Sequence, residues 1–76
     1  MEKILNILQD IRSDVDFVKE KKLIDDGVLD SFDIIEIVST FNDAFDIEID
    51  VDELMPENFN TVEAMKQLIE KLQNEA

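Results

Sequence analysis

The sequence predicts an all-α fold, a four-helix bundle made of three long helices and one short helix. Three separate stretches place apolar residues three and four positions apart, the spacing that gives a helix one apolar face. Only one stretch alternates apolar and polar residues, so it has no second strand with which to pair. The 76 residues form a single domain, spanning 1–76, whose folding removes only about 60% of the unfolded surface from water.

The first predicted helix runs from Glu2 to about Arg12 or Ser13. Glu2 lies near the positive end of the helix dipole and Arg12 near the negative end, which stabilises both charges. The short polar residues from Ser13 to Asp16 then interrupt the helix, because they hydrogen-bond to their own backbone. The wide apolar face of this helix comprises Ile4, Leu5, Ile7, Leu8 and Ile11.

A long connection follows over residues 17–28, and a loop of this length needs buried anchors in a compact domain. Gly27 is the only glycine of the chain, and its place after two aspartates predicts a positive φ angle. We expect the charged residues from Lys19 to Lys22 to stay in water. The predicted anchors are Val18, Leu23, Ile24 and Leu29.

The second predicted helix runs from Ser31 to Phe45, with Asp30 or Ser31 as its N-cap. A helical projection predicts one buried face, made of Ile34, Ile35, Val38, Phe41 and Phe45.

Two apolar residues, Phe32 and Ile37, fall off this predicted buried face and lie beside Asp33 and Glu36. An apolar and acidic surface is typical of a docking face, because charge steers association and apolar contacts hold the complex.

Ser31 carries the strongest functional signal. The first turn of a helix has backbone N–H groups without intrahelical partners, and the helix dipole makes this end positive. A phosphate there is stabilised by a few tenths to about one kcal/mol. Serine is also a favoured N-cap, so the cap pattern alone leaves a purely structural role open.

The alternating run from Asp46 to Asp52 favours a strand by itself, but we expect a loop because a partner strand is missing. The last helix begins at a capping box, with Asn60 as N-cap and Glu63 reaching back to it. The inner stripe of this helix is Val62, Met65, Leu68, Ile69 and Leu72.

The chain has 20 acidic and seven basic residues, a formal net charge of −13. Its 43 residues from Leu23 to Met65 contain 13 acids and no cation. The negative electrostatic field of these acids disfavours binding to nucleic acid and anionic membranes and favours binding to basic protein surfaces. The chain lacks cysteine and histidine, the latter being the commonest general base, so we expect a non-catalytic protein. Its apolar runs are too short for membrane insertion, which predicts a cytoplasmic protein.

A calcium-binding loop is the alternative that the acidic run suggests. Position 6 of that register is Val51 instead of the required glycine, and Pro56 stiffens the loop. We therefore expect no dedicated metal site, while weak binding of divalent ions stays open. The residues at register positions 1, 3, 5 and 12 are Asp46, Glu48, Asp50 and Glu57.

A central motif places Ser31 between Asp30 and Phe32, within the run LIDDGVLDSFDIIEIVSTFNDAF from Leu23 to Phe45. This run resembles the acyl carrier proteins, whose Asp-Ser-Leu motif holds a serine esterified to phosphopantetheine. The resemblance extends over nearly the whole chain. Phenylalanine after the serine, and glycine four residues before it, are more similar to the D-alanyl carriers than to the fatty-acid carriers.

The resemblance implies 4'-phosphopantetheine on Ser31, with Asp30 and Phe32 flanking the cofactor. It also implies partner contacts along the second helix and a single-turn helix after the acidic loop. That short helix would run from Asp52 to Met55, and Pro56 would end it. The implied partner-binding residues are Asp33, Glu36 and Ile37.

The implied partners are a phosphopantetheinyl transferase, an acyl- or aminoacyl-loading ligase or transferase, and downstream acyl-transfer enzymes with basic docking patches. The implied role is that of a stand-alone, monomeric carrier in fatty-acid, polyketide or D-alanyl-type biosynthesis. Ser39 and Asn42 depart from the fatty-acid type. The alternative is an acidic helical interaction module without a covalent cofactor, in which Ser31 is only a helix cap.

Overall fold

The computed structural model describes residues 2–75 and contains four α-helices joined by loops. No β-strand occurs within this range, which confirms the predicted all-α bundle of three long helices and one short helix. Met1 and Ala76, the ends of the predicted domain, lie outside the described residues. The helices are α1 (Glu2–Ile11), α2 (Ser31–Phe45), α3 (Pro56–Phe59) and α4 (Val62–Glu75), with a 3₁₀ helix at Val51–Glu53.

The core lies where α1, α2 and α4 pack against one another, and α3 covers one end of α4. Side chains at the start of α1 and directly after its end form hydrogen bonds with α2. The Lys3 ammonium donates to the Ala44 carbonyl oxygen (3.1 Å) and lies 5.0 Å from the centre of the Phe45 ring. This cation stabilises the negative C-terminal end of α2. At the other end, Arg12 binds Asp33 in the first turn of α2.

The connection before α2 is anchored as the sequence predicts by Leu23 and Leu29, which are buried, and by the half-buried Ile24. The prediction for Val18 is wrong, because its side chain is 63% exposed and the neighbouring Phe17 is buried instead. Adjacent side chains of a turn diverge, and the larger aromatic ring gains more from burial.

The predicted positive φ of Gly27 is confirmed at +70°. Hydrogen bonds close the connection on both sides of this glycine, from Gly27 N–H to the Ile24 carbonyl (3.0 Å) and from Leu29 N–H to the Leu23 carbonyl (2.9 Å). Because Leu29 is buried two residues before Ser31, the start of α2 is fixed against the core.

The prediction that the short helix runs from Asp52 to Met55 and ends at Pro56 is wrong. Pro56 begins α3, and a 3₁₀ helix precedes it. Proline suits the first helical position, because its fixed φ is already helical and that position needs no N–H donor. The loop predicted in place of a strand is confirmed, and the Asn42 amide oxygen holds it by accepting from Ile49 N–H (3.0 Å).

Asn60 does not cap α4, which corrects the predicted capping box. The Thr61 hydroxyl accepts from Ala64 N–H (3.0 Å), so Thr61 is the cap. The Asn60 side chain turns to the long connection instead. Its oxygen accepts from Ile24 N–H (2.9 Å) and Asp25 N–H (3.1 Å), and its amide donates to the Asp25 carboxylate (3.0 Å). We call these three bonds the Asn60 latch.

The predicted inner stripe of α4 is confirmed. Four of its residues, Val62, Met65, Leu68 and Ile69, are buried, and Leu72 packs against them half-buried.

Candidate functional site

The N-terminus of α2 is formed by a reciprocal pair of hydrogen bonds. Asp33 N–H donates to the Asp30 carboxylate (2.9 Å), and Asp30 N–H donates to the Asp33 carboxylate (3.2 Å). Asp30 has extended backbone angles and is therefore the N-cap, which leaves Ser31 as the first helical residue. The predicted bounds of this helix are confirmed.

The Ser31 side chain is exposed, and none of the hydrogen bonds between the described residues uses its hydroxyl. Since Asp30 supplies the cap, the helix does not need Ser31 in that role. The N–H groups of Ser31 and Phe32 lie in the first turn, where intrahelical acceptors are missing. An exposed hydroxyl thus stands next to backbone donors at the positive end of a 15-residue helix.

Arg12 lies beside this turn and binds three segments of the chain. One terminal nitrogen, Nη1, donates to the Asp33 carboxylate (2.5 Å) and to the Val28 carbonyl (3.4 Å). Nε and Nη2 donate to the two oxygens of Asp14, each at 3.0 Å. The sequence pattern predicted only a role at the helix dipole for Arg12 and did not indicate this cluster. The signal that the sequence offered is that Arg12 is the only basic residue between Lys3 and Lys19.

The contacts between Arg12 and its carboxylate partners shift the pKa values of Asp14 and Arg12. The hydrogen bonds from Arg12 hold the pKa of the Asp14 carboxyl below its ordinary value. Hydrogen bonds to Asp14 and then to Asp33 raise the pKa of the Arg12 guanidinium above its ordinary value. Arg12 is therefore a permanent cation next to the acidic start of α2.

The predicted position of Ile37 on the exposed side of α2 is wrong, because its side chain is 0% exposed, whereas that of Ile35 is 65% exposed. At about 100° per residue, Ile37 lies roughly 40° from the buried Phe41, and Ile35 lies roughly 120° away on the other side. Packing of α2 against both α1 and α4 selects the face centred near Phe41.

The other two predicted contact residues differ from each other. The Asp33 carboxylate is only 13% exposed and binds Arg12, whereas Glu36 is exposed. An apolar and acidic surface does exist on α2, with Phe32 80% exposed. We call it the α2 face, and it comprises Phe32, Ile35, Glu36, Ser39 and Asp43.

A cavity of about 160 Å³ lies between α2, α3 and the long connection. Met55 and Phe59 border it, while Met65 is buried elsewhere in the core. The cavity is almost wholly apolar, and its lining residues are Ile24, Ile34, Leu54, Met55, Pro56 and Phe59.

Comparison with known proteins identifies the family. A family model described as "Phosphopantetheine attachment site" matches residues 2–69. This chain belongs to the phosphopantetheine-attachment family. As a member of this family, the chain is a non-catalytic carrier protein whose cofactor is 4'-phosphopantetheine.

The relatives of this carrier include D-alanyl carrier proteins. That of Streptococcus uberis is 34% identical over 61 residues, covering 80% of this chain and 77% of the relative. That of Streptococcus pyogenes serotype M5 is 33% identical with the same coverage. No solved structure matches the carrier.

The N-terminus of α2 fits the chemistry of the cofactor, because a phosphodiester needs a free hydroxyl and gains from unpaired N–H donors. Within residues 2–75, no helix of the carrier is long and apolar enough to cross a membrane. No group of three or more carboxylates that could hold a metal ion occurs in the same range.

Proposed function

We propose that Ser31 is the phosphopantetheine attachment site and that the chain carries a D-alanyl or related acyl group. The single observation that carries the site assignment is the exposed, unbonded Ser31 hydroxyl at the N-terminus of α2. The D-alanyl cargo is supported by the named relatives, whose similarity covers 80% of this chain.

The other hydroxyl side chains of the protein are less suitable. Thr40 donates to the Glu36 carbonyl (2.8 Å), and Thr61 caps α4. Ser39 lies in the middle of α2, where the backbone N–H groups are already bonded. Ser13 lies in a turn outside any helix. Among the five serine and threonine residues, Ser31 alone combines a free hydroxyl with a helix N-terminus.

Each residue of the α2 turn has a separate role in this proposal. In the transfer from coenzyme A, the Ser31 oxygen would bond to the phosphorus of the phosphopantetheine group while the pyrophosphate bond of coenzyme A breaks. The nucleotide part of coenzyme A would leave as 3',5'-adenosine bisphosphate, and the hydroxyl proton would pass to a base of the transferase. Asp30 holds the helix start in place, and the Phe32 side chain stands exposed beside it. When bound, the cofactor supplies a terminal thiol that carries the acyl group as a thioester.

The α2 face is the proposed docking surface for the transferase, the loading ligase and the acyl-transfer enzymes that follow. Glu36 supplies charge for steering toward basic patches, and Ile35 supplies the apolar contact that the sequence analysis assigned to Ile37. A net charge of −13 increases the association rate with such partners at low salt.

The attachment site is tested by intact mass after incubation with coenzyme A and a broad-specificity phosphopantetheinyl transferase. We expect one added group on the parent chain and on Ser13→Ala, a control serine that is exposed and lies outside the α2 face, and none on Ser31→Ala. A gain on Ser31→Ala would place the site elsewhere. No gain on the folded, unmodified parent chain would contradict the carrier function and favour an interaction module without a covalent cofactor.

The cargo is tested on the modified chain by mass as well. D-alanine with ATP and a D-alanine-activating ligase is compared with malonyl-coenzyme A and a malonyl transferase. Addition of one D-alanyl group by the ligase supports the proposed cargo. Loading by the malonyl transferase alone would assign the chain to fatty-acid or polyketide chemistry.

A further inference from the structure

We propose that Arg12 is a positioning residue for the modification of Ser31 and that it acts through Asp33, which serves the turn rather than a partner. This inference deepens the proposed function and rests on it. Arg12 forms no hydrogen bond with Ser31 and is not part of the α2 face.

One guanidinium joins several segments of the chain around Ser31. Arg12 follows α1 directly, and it binds Val28 in the connection and Asp33 in α2. Val28 and Asp33 lie on opposite sides of Ser31 in the chain. Contacts on both sides of a residue restrict its backbone more than one contact does, because the segment can no longer rotate about a single point of attachment.

The Asp33 carboxylate already accepts two hydrogen bonds within this chain. Its Oδ2 atom accepts from both Arg12 Nη1 (2.5 Å) and Asp30 N–H (3.2 Å). The Asp33 side chain is 13% exposed, so little of it is left for a partner. The Asp33 carboxylate therefore links Arg12 to the backbone of Asp30, the residue directly before Ser31.

Four of the five N–H donors of Arg12 are already used within this chain. Nε, Nη1 and Nη2 all donate to groups of this chain. The partners expected for an acidic carrier are basic, and a cation on the carrier would repel them. Direct recognition of Arg12 by the transferase is therefore disfavoured on both geometric and electrostatic grounds.

The experiment compares Arg12→Gln, Asp33→Asn and their double variant in the transferase reaction, with kcat and KM measured by intact mass. Glu36→Gln serves as the partner-contact comparison, and Asp26→Asn controls for the loss of one exposed charge. We expect Arg12→Gln and Asp33→Asn each to lower kcat roughly tenfold with little change in KM, because misplacement of a reacting group acts on the chemical step. Glu36→Gln instead raises KM and weakens its salt dependence.

The double variant tests whether Arg12 and Asp33 act together. We expect it to be no slower than Arg12→Gln alone, since removal of one partner already breaks the contact. Additive losses in the double variant, or a pure KM effect of Asp33→Asn, would overturn the proposal. Arg12→Lys keeps the charge without the planar fork, and it replaces Arg12→Gln if the latter does not fold.

A second measurement does not depend on modification. Amide hydrogen exchange in the unmodified chain should become faster at Asp30 and Asp33 in Arg12→Gln, and should stay unchanged at both sites in Asp26→Asn. Unchanged exchange in Arg12→Gln would overturn the positioning role. If the parent chain gains no group at Ser31, the proposed function fails, while the exchange result still decides whether Arg12 orders the turn.

Discussion

Substitutions of Asn60 test whether this side chain acts as a local helix cap or as a tertiary contact. The latch comprises three hydrogen bonds, of which the one to Ile24 N–H is partly buried and the two to Asp25 are exposed. At about 0.5 to 1.5 kcal/mol net per bond, with the exposed bonds near the lower limit, Asn60→Ala should lower the free energy of unfolding by roughly 2 kcal/mol. For a chain of this size, this corresponds to a decrease in Tm of about 10 °C.

Two further substitutions at this position distinguish the roles. As an N-cap, asparagine could be replaced by serine or aspartate at almost no cost. In the latch, Asn60→Ser lacks the reach to bond both backbone groups, and we expect a loss of roughly 2 kcal/mol. Asn60→Asp keeps the acceptor but places a second carboxylate 3.0 Å from that of Asp25, and we expect a loss of about 1 kcal/mol or more.

Urea unfolding followed by circular dichroism measures these differences. Thr61→Ala is the matched control at the neighbouring position, and it should cost about 1 kcal/mol as the true cap of α4. If Asn60→Ser and Asn60→Asp were as stable as the parent chain while Asn60→Ala was not, the latch would be refuted and the capping role restored.

Two other predictions concern the long connection and the Arg12 cluster. Gly27→Ala should destabilise the fold by about 1 kcal/mol in urea unfolding. The cost is conformational, because the Gly27 φ angle is +70° while the space for a Cβ atom is open. Equal stability of Gly27→Ala and the parent chain would contradict this reasoning. Asp14→Asn should lower Tm at neutral pH, since Arg12 lowers the pKa of the folded Asp14 carboxyl. The stabilisation by the ionised Asp14 carboxylate is present above the ordinary pKa of 3.8 and is lost as pH falls through the lower pKa of the folded state. A Tm difference between the parent chain and Asp14→Asn that persisted in more acidic solution would exclude this linkage.

Local signals predicted the three long helices and the start of α2 correctly. The boundaries of α2 follow from the apolar spacing and from Asp30, whose capping partner Asp33 is only three residues away. The positive φ of Gly27 likewise follows from residue type and immediate neighbours. Interactions of this range are encoded in a few adjacent residues, which is why pattern and propensity suffice for them.

The face of α2 that meets the core could not be derived in this way. Ile35 and Ile37 are identical in type and lie on opposite sides of the apolar sector. Their burial is decided by where α1 and α4 lie, and this placement buries Ile37 and exposes Ile35. The composition of the docking surface therefore depends on helix packing, although its mixed apolar and acidic character follows from the sequence.

The sequence by itself determined that this protein is a small acidic helical carrier with a serine at the first turn of its second helix. Only the tertiary structure decided which groups hold that turn and the connection before it. Asn60 binds Ile24 across 36 positions, and Arg12 binds Asp33 across 21. A short polar side chain has many possible partners of equal chemistry, and only the folded chain brings one of them within hydrogen-bond distance.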